Sequence, residues 1–172
     1  MKTFLISDTH FGHNNILSFK RNDGTPLRFF ASIEDHDETL ISNWNSVVKK
    51  EDKVYHLGDI SMCGWSKTEN ILNRLNGTKV LIKGNHDEYK LSQYARVFKD
   101  VRAYHRLDKF ILSHIPIHPS SLSRWEANIH GHLHDNVYED PRYFNVSVER
   151  IGFTPIDFQT LKERIYENLS NT

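Results

Sequence analysis

The 172-residue sequence balances 22 Lys plus Arg against 22 Asp plus Glu, so no global basic field exists to hold extended duplex nucleic acid by counterion release. Its length suits one domain over residues 1–172, and no Pro-, Gly- or Ser-rich linker divides it. The apolar stretch Phe4-Leu5-Ile6 stops at Ser7 and Asp8, no run reaches transmembrane length, and the single Cys63 fits a reducing compartment, so a cytoplasmic protein with no membrane contact is expected.

Short apolar runs rich in β-branched and aromatic residues alternate with segments of helical periodicity, the pattern of a layered α/β protein. Residues 3–7 read as the first strand. Ser32 followed by Asp35 starts a helix whose apolar face carries Ile33, Leu40, Trp44, Val47 and Val48, with His36 toward solvent. Residues 53–57 form the second strand. A capping box of Ser66 and Glu69 opens the next helix, Ile71, Leu72 and Leu75 make its stripe, and Gly77 ends it. A strand over residues 78–82 leads to a helix over residues 88–97. Asp108-Lys109 turns residues 103–107 back onto a strand at 109–113, and further strands follow at 127–130 and 143–148. After Thr154-Pro155 the last helix buries Phe158, Leu161 and Ile165 and leaves Lys162, Glu163 and Arg164 in water.

Eleven histidines is the compositional oddity, and their placement is informative. Asp8-Thr9-His10 follows the first expected strand, Gly58-Asp59 the second and Gly84-Asn85-His86-Asp87 the third. His114 follows the strand at 109–113, and His130-Gly131-His132-Leu133-His134 ends the next. Carboxylates, imidazoles and an amide therefore converge on loops at the carboxyl edge of a sheet, where open α/β sheets bind ligands. Taken singly, each cluster has a plain explanation: a chance triplet, a turn, a strand-to-helix junction, a loop histidine held by a carbonyl. Gly131-His132-Leu133-His134 says more, because alternate residues of an extended segment point the same way. Five such clusters, all placed after strands, make coincidence a poor account.

In this order, D-x-H, G-D, G-N-H-D, H and G-H-x-H, the sequence resembles the calcineurin-like metallophosphoesterase superfamily. The stretches Ser7 to His13 and Val54 to Asp59, and the tail Asn145-Val146-Ser147-Val148-Glu149 with Pro155-Ile156, are similar to its small bacterial and phage-encoded members. The resemblance implies a four-layer α/β/β/α sandwich, two packed mixed β-sheets flanked by helices. It implies two divalent transition-metal ions, one held by Asp8, His10, Asp59 and His134, the other by Asp59, Asn85, His114 and His132, with Asp59 bridging. Oxygen and imidazole ligands without thiolate suit manganese first, with Fe, Zn, Ni or Co as alternatives. Two divalent ions, less two carboxylates and a bridging hydroxide, leave a site charge of about +1, which draws in a phosphate oxyanion although the protein is neutral overall. The implied reaction is in-line attack of a metal-bridging hydroxide on phosphorus.

The resemblance makes His86 the acid at the leaving oxygen, and Asp87 either orients it or caps the following helix. His13 and His118 read equally as phosphate contacts or ordinary loop histidines, and Arg28 joins them as a substrate candidate. The segment from Phe19 to Phe30, with Lys20, Arg21, Asp23-Gly24 and Arg28, is not dictated by the superfamily pattern and is where substrate choice would be written. His56 and His105 lie within expected strands and read as structural, and His130 could stand behind a ligand. Phe11, Trp65, Tyr89 and Trp125 could stack on a base or pack internally. The expected partner is a nucleotide-like phosphate ester. Phosphodiester hydrolysis on a small nucleotide or nucleic-acid end leads, phosphomonoester hydrolysis is the alternative, and a non-catalytic binding module is the reading that intact ligands disfavour.

Overall fold

A computed structural model describes residues 1–170. Its first sheet pairs β1 (Thr3–Ile6), β2 (Lys53–His56), β3 (Thr78–Ile82) and β4 (Asp100–Arg102) in parallel and adds β9 (Ile156–Asp157) antiparallel to β1, in the order β4-β3-β2-β1-β9. The second runs β5 (Tyr104–Leu107), β6 (Phe110–Ser113), β7 (Ala127–His130), β8 (Tyr143–Asn145), antiparallel between β5 and β6 and parallel beyond. Both sheets are thus mixed, and the helices α1 (Ile33–Val47), α2 (Trp65–Arg74), α3 (Leu91–Tyr94) and α4 (Phe158–Ser170) flank them, as the sequence implies.

Alternation along the strands divides the core in two. Phe4, Ile6, Val54 and Leu81 face Leu40 and Trp44 of α1 and Ile71 and Leu72 of α2. Leu5, Tyr55, Val80 and Ile82 face the other way, onto Phe110, Leu112, Ala127 and Ile129 of the second sheet, with Phe158, Leu161 and Ile165 of α4 closing the same cluster. Each such aliphatic or aromatic side chain contributes roughly 1.5–3 kcal/mol on burial. The strands that present the site loops are therefore gripped on both faces. The outer side of the second sheet, through Ile111 and Tyr143, packs on Leu122 of a 3-10 segment (Pro119–Arg124).

Several local expectations need correction. Ser32 does cap α1, accepting from the Asp35 N–H, but His36 lies on the buried side of the helix with no exposed surface, while Val47 is exposed. α2 begins at Trp65 with Gly64 as its N-cap and no side-chain cap, so Ser66 falls inside the first turn and forms no capping box. The helix expected over 88–97 is only α3, because residues 84–90 are spent on turns that carry polar side chains to the site. β4 and β9, three and two residues long, carry too little periodicity to be read in sequence. The strand expected to reach Val148 ends at Asn145. There the Asn145 Oδ1 accepts from the Ser147 N–H, and the chain crosses to the first sheet through a Ser7–Ser147 bridge.

Candidate metal centre

The first-sheet loops after β1, β2 and β3 and the second-sheet loops after β6 and β7 meet at one edge of the sandwich. Glycine allows the approach at two decisive points. A Cβ on Gly131 would lie 2.0 Å from Ser7 Oγ and 2.4 Å from Asp8 Oδ2, and one on Gly84 would lie 2.3 Å from Asp59 Oδ1. Asp87 ties the same loops from below. Its carboxylate accepts from the N–H groups of Gly84, Asp59 and Ile60 at 2.8–3.0 Å. Burial pushes its carboxyl upward, against the pull of those three bonds. Both Asp87 oxygens accept from main chain, and α3 has Lys90 as its N-cap, so Asp87 does not cap it.

Two groups of potential ligand atoms result, Asp8 with His10 and His134, and Asp59 with His114 and His132, the atoms of each lying within 4.8 Å of one another. Asp59 joins them: its Oδ2 lies 3.7 Å from His10 Nε2 and 3.3 Å from His114 Nε2, while its Oδ1 accepts from the His86 N–H at 2.9 Å. Asn85 completes the second group, with Oδ1 3.0 Å from His114 Nε2. Asp8, His10, Asp59, His132 and His134 all hold left-handed φ between 47° and 69°. Non-glycine residues hold this conformation only under constraint, and such strain concentrates at functional sites.

Hydrogen bonds on the far side of the rings select the nitrogens that face the centre. His114 Nδ1 donates to the Leu57 carbonyl at 2.7 Å, and His134 Nδ1 donates to Glu149 Oε1 at 3.0 Å, leaving each Nε2 lone pair inward. Asp8 Oδ2 accepts from His132 N–H and Ser147 Oγ–H, so Oδ1 remains. That Oδ1 and both His10 ring nitrogens are buried without a hydrogen-bond partner, a costly condition for polar atoms that a cation relieves.

The charge balance agrees. Burial alone would raise the carboxyls of Asp8 and Asp59, yet the neighbouring imidazoles outweigh it and hold both below their ordinary range. Burial lowers His114 and His134, but Asp59 and Glu149 respectively more than reverse this and raise them. His132, like His10, is lowered by burial. For His10 burial prevails, and the ring is held neutral, the form that donates a lone pair.

The other candidates separate cleanly. His13 and His86 pack against the His10 ring, at centroid distances of 5.7 and 5.8 Å. Asn85 and His86 are exposed at the rim. Arg28 is not a substrate contact. It is 1% exposed and lies beneath the first loop, donating to the carbonyls of Asp8 and Thr9, to His36 Nε2 and to Glu149. His118 caps the 3-10 segment, its Nδ1 accepting from the Ser120 N–H. His56 is fully buried against Thr9 Oγ1, and Phe11 is core. Trp65 and Tyr89 pack edge to face, and Trp125 packs against the outer cluster. The position that sequence reasoning left without a role is Glu149. Its signal was its place in the Asn145 to Glu149 tail, but nothing in sequence shows that it backs His134.

The family model for calcineurin-like phosphoesterase matches residues 1–167. An uncharacterized protein of Methanocaldococcus jannaschii is 37% identical, covering 95% of this chain and 91% of its own length. The Gene 66 protein of Mycobacterium phage L5 is 31% identical, with 77% of each chain covered. Among solved structures, a protein of unknown function from Aquifex aeolicus superposes with a TM-score of 0.75 at 26% identity, covering 94% of this chain and 98% of that one.

Proposed function

Because the chain belongs to the calcineurin-like phosphoesterase family, we propose that it hydrolyses a phosphodiester in a small nucleotide or nucleic-acid end, using two divalent transition-metal ions with manganese as the first candidate. The observation that carries this reading is the pair of ligand groups joined through one Asp59 oxygen beside unpartnered buried Asp8 Oδ1 and His10 nitrogens. Asp8, His10, Asp59 and His134 would hold one ion, and Asp59, Asn85, His114 and His132 the other. Such a pair, when bound, supplies Lewis-acid polarisation of the phosphoryl oxygens and acidifies the attacking water.

The protein's own part is placement and proton transfer. His86 is fixed through its main chain to Asp59 while its ring stands exposed beside His10, where it can protonate the departing ester oxygen. His13 packs on the His10 ring as well, which places it to meet the same phosphate. Asp87 holds the loops of Asp59 and His86 at fixed separation and takes no part in proton transfer. Exposure of Asn85 and His86 leaves the rim open, and a diester needs that opening because its phosphorus carries a substituent on two sides.

Manganese-loaded protein should cleave bis(p-nitrophenyl) phosphate at least about tenfold faster, in kcat/KM, than p-nitrophenyl phosphate, a difference of about 1.4 kcal/mol in transition-state stabilisation. A preference for the monoester would replace this reading with a phosphatase. Failure to hydrolyse either, with no metal bound, would indicate a binding module.

A further inference from the structure

A cavity of about 570 Å³ adjoins the metal centre, between the 19–27 loop and residues 134–137. The two share His134, whose ring stacks on His10 at 5.2 Å and whose residue also lines the cavity. A second line of contact runs from His10 to His13 at 5.7 Å and on to Phe19 at 5.6 Å, edge to face. Phe19 is 44% exposed and Val137 64% exposed, both lining the cavity with Leu27. Asn22 and Asn136 add amides with both donors and acceptors to the same wall.

The walls are built. The 19–27 loop folds on itself through Arg21 N–H to the Thr25 carbonyl and Leu27 N–H to the Phe19 carbonyl, both at 2.8 Å. Arg21 Nε then bonds Asp135 Oδ2 at 2.8 Å, fastening this loop to the opposite one. Asp23 is turned onto Thr25. The lining cations Lys20 and Arg21 are balanced by Asp23 and Asp135, so the cavity has no net charge with which to hold a second phosphate.

We propose that this cavity binds the nucleoside portion of the substrate, with Phe19 and Val137 against the base, the amides on its polar edge, and the ester phosphate at the metal centre. An uncharged group of nucleoside size, flat on one side and rich in donors and acceptors, matches an aromatic and amide lining, and sites of several hundred Å³ suit such ligands. The inference rests on the proposed phosphodiesterase activity, since it gives that site its substrate class.

The test separates the two. Adenosine and thymidine, which carry no phosphate, are titrated at millimolar concentration into isotope-labelled full-length protein and followed by amide chemical shifts. Saturable shifts at Phe19, Asn22, Asn136 and Val137, weakened about fivefold or more in Phe19→Ala and in Val137→Asp, support the nucleoside cavity. Val137 is exposed, so its variant should fold even if Phe19→Ala does not. In parallel, kcat/KM for thymidine 5′-(p-nitrophenyl phosphate) relative to bis(p-nitrophenyl) phosphate should fall about tenfold in Val137→Asp. Hydrolysis of both esters with no nucleoside shifts and an unchanged ratio overturns the cavity assignment alone. Absence of hydrolysis with nucleoside shifts intact overturns the enzymatic reading and leaves the cavity as a nucleoside site.

Discussion

At the scale of single residues, the histidines divide by what stands behind each ring. His134 and His114 have an acceptor behind Nδ1, whereas His86 is hydrogen-bonded through its main chain, and the role proposed for its ring is to pass a proton to the leaving group. His86→Ala should retain wild-type metal content and lose roughly 10²–10⁴-fold in rate on an alkyl leaving group, with a smaller loss for p-nitrophenolate, which leaves without a proton. Metal analysis beside the two rates checks this, and equal losses on both leaving groups would remove the acid role. Glu149 gives a second prediction. Its side chain and that of Arg28 have no exposed surface and pair at 2.7 Å. Glu149→Ala strands the guanidinium and should cost about 3–5 kcal/mol in urea unfolding, while Glu149→Gln should cost less. A loss under about 1 kcal/mol would contradict the pairing. Arg28 and His36 were misplaced in sequence for one physical reason: a charged or imidazole side chain on a loop or helix looks solvent-facing until its buried partners are known. Both belong to one cluster with Asp37, whose Oδ1 accepts from His36 Nδ1 at 2.9 Å.

At the scale of elements, the ligand loops were legible because each ligand motif directly follows a strand of ordinary pattern, and a strand gripped on two faces fixes where its next residue points. The loops' backbone conformation was not legible. Positive φ at Asp8, His10, Asp59, His132 and His134 arises from contacts between loops far apart in sequence, as does the sheet crossing at Asn145. Gly131 shows how closely those loops meet. Gly131→Ala should destabilise by about 1–3 kcal/mol, the range for overpacking, and weaken metal binding because the added methyl displaces Asp8. Thermal melts with and without manganese would show it, and an unchanged metal-induced rise in Tm would refute the displacement. α2 and α3 were misread for the opposite reason: Ser66 with Glu69 satisfies a capping pattern that Gly64 pre-empts, and residues 84–90 are held in turns by Asp87.

At the scale of the whole molecule, the site couples to stability through protons as well as metals. Burial holds the His56 imidazole near pKa 3, against 6.5 for the free group, while Thr9 and Gly58 bond its neutral form. The unfolded chain therefore binds a proton that the folded chain refuses between these values. His56 carries no penalty above pH 6.5 and a growing one as pH falls toward 3, with a slope approaching 1.4 kcal/mol per pH unit. Urea unfolding from pH 7 to 4.5 should show this loss, and His56→Gln should flatten it by up to one proton; parallel curves would contradict the assignment. Among the described residues no helix is long and apolar enough to cross a membrane. The proposed centre holds two ions between ligand groups that Asp59 joins. Calorimetric titration of metal-free protein with manganese, set beside Asp59→Asn, tests it most directly: the wild type should bind two ions per chain with hydrolysis appearing as the second binds, and the variant should lose both ions' affinity together. A wild type that binds no ion or one, or a variant with undiminished affinity, would contradict it.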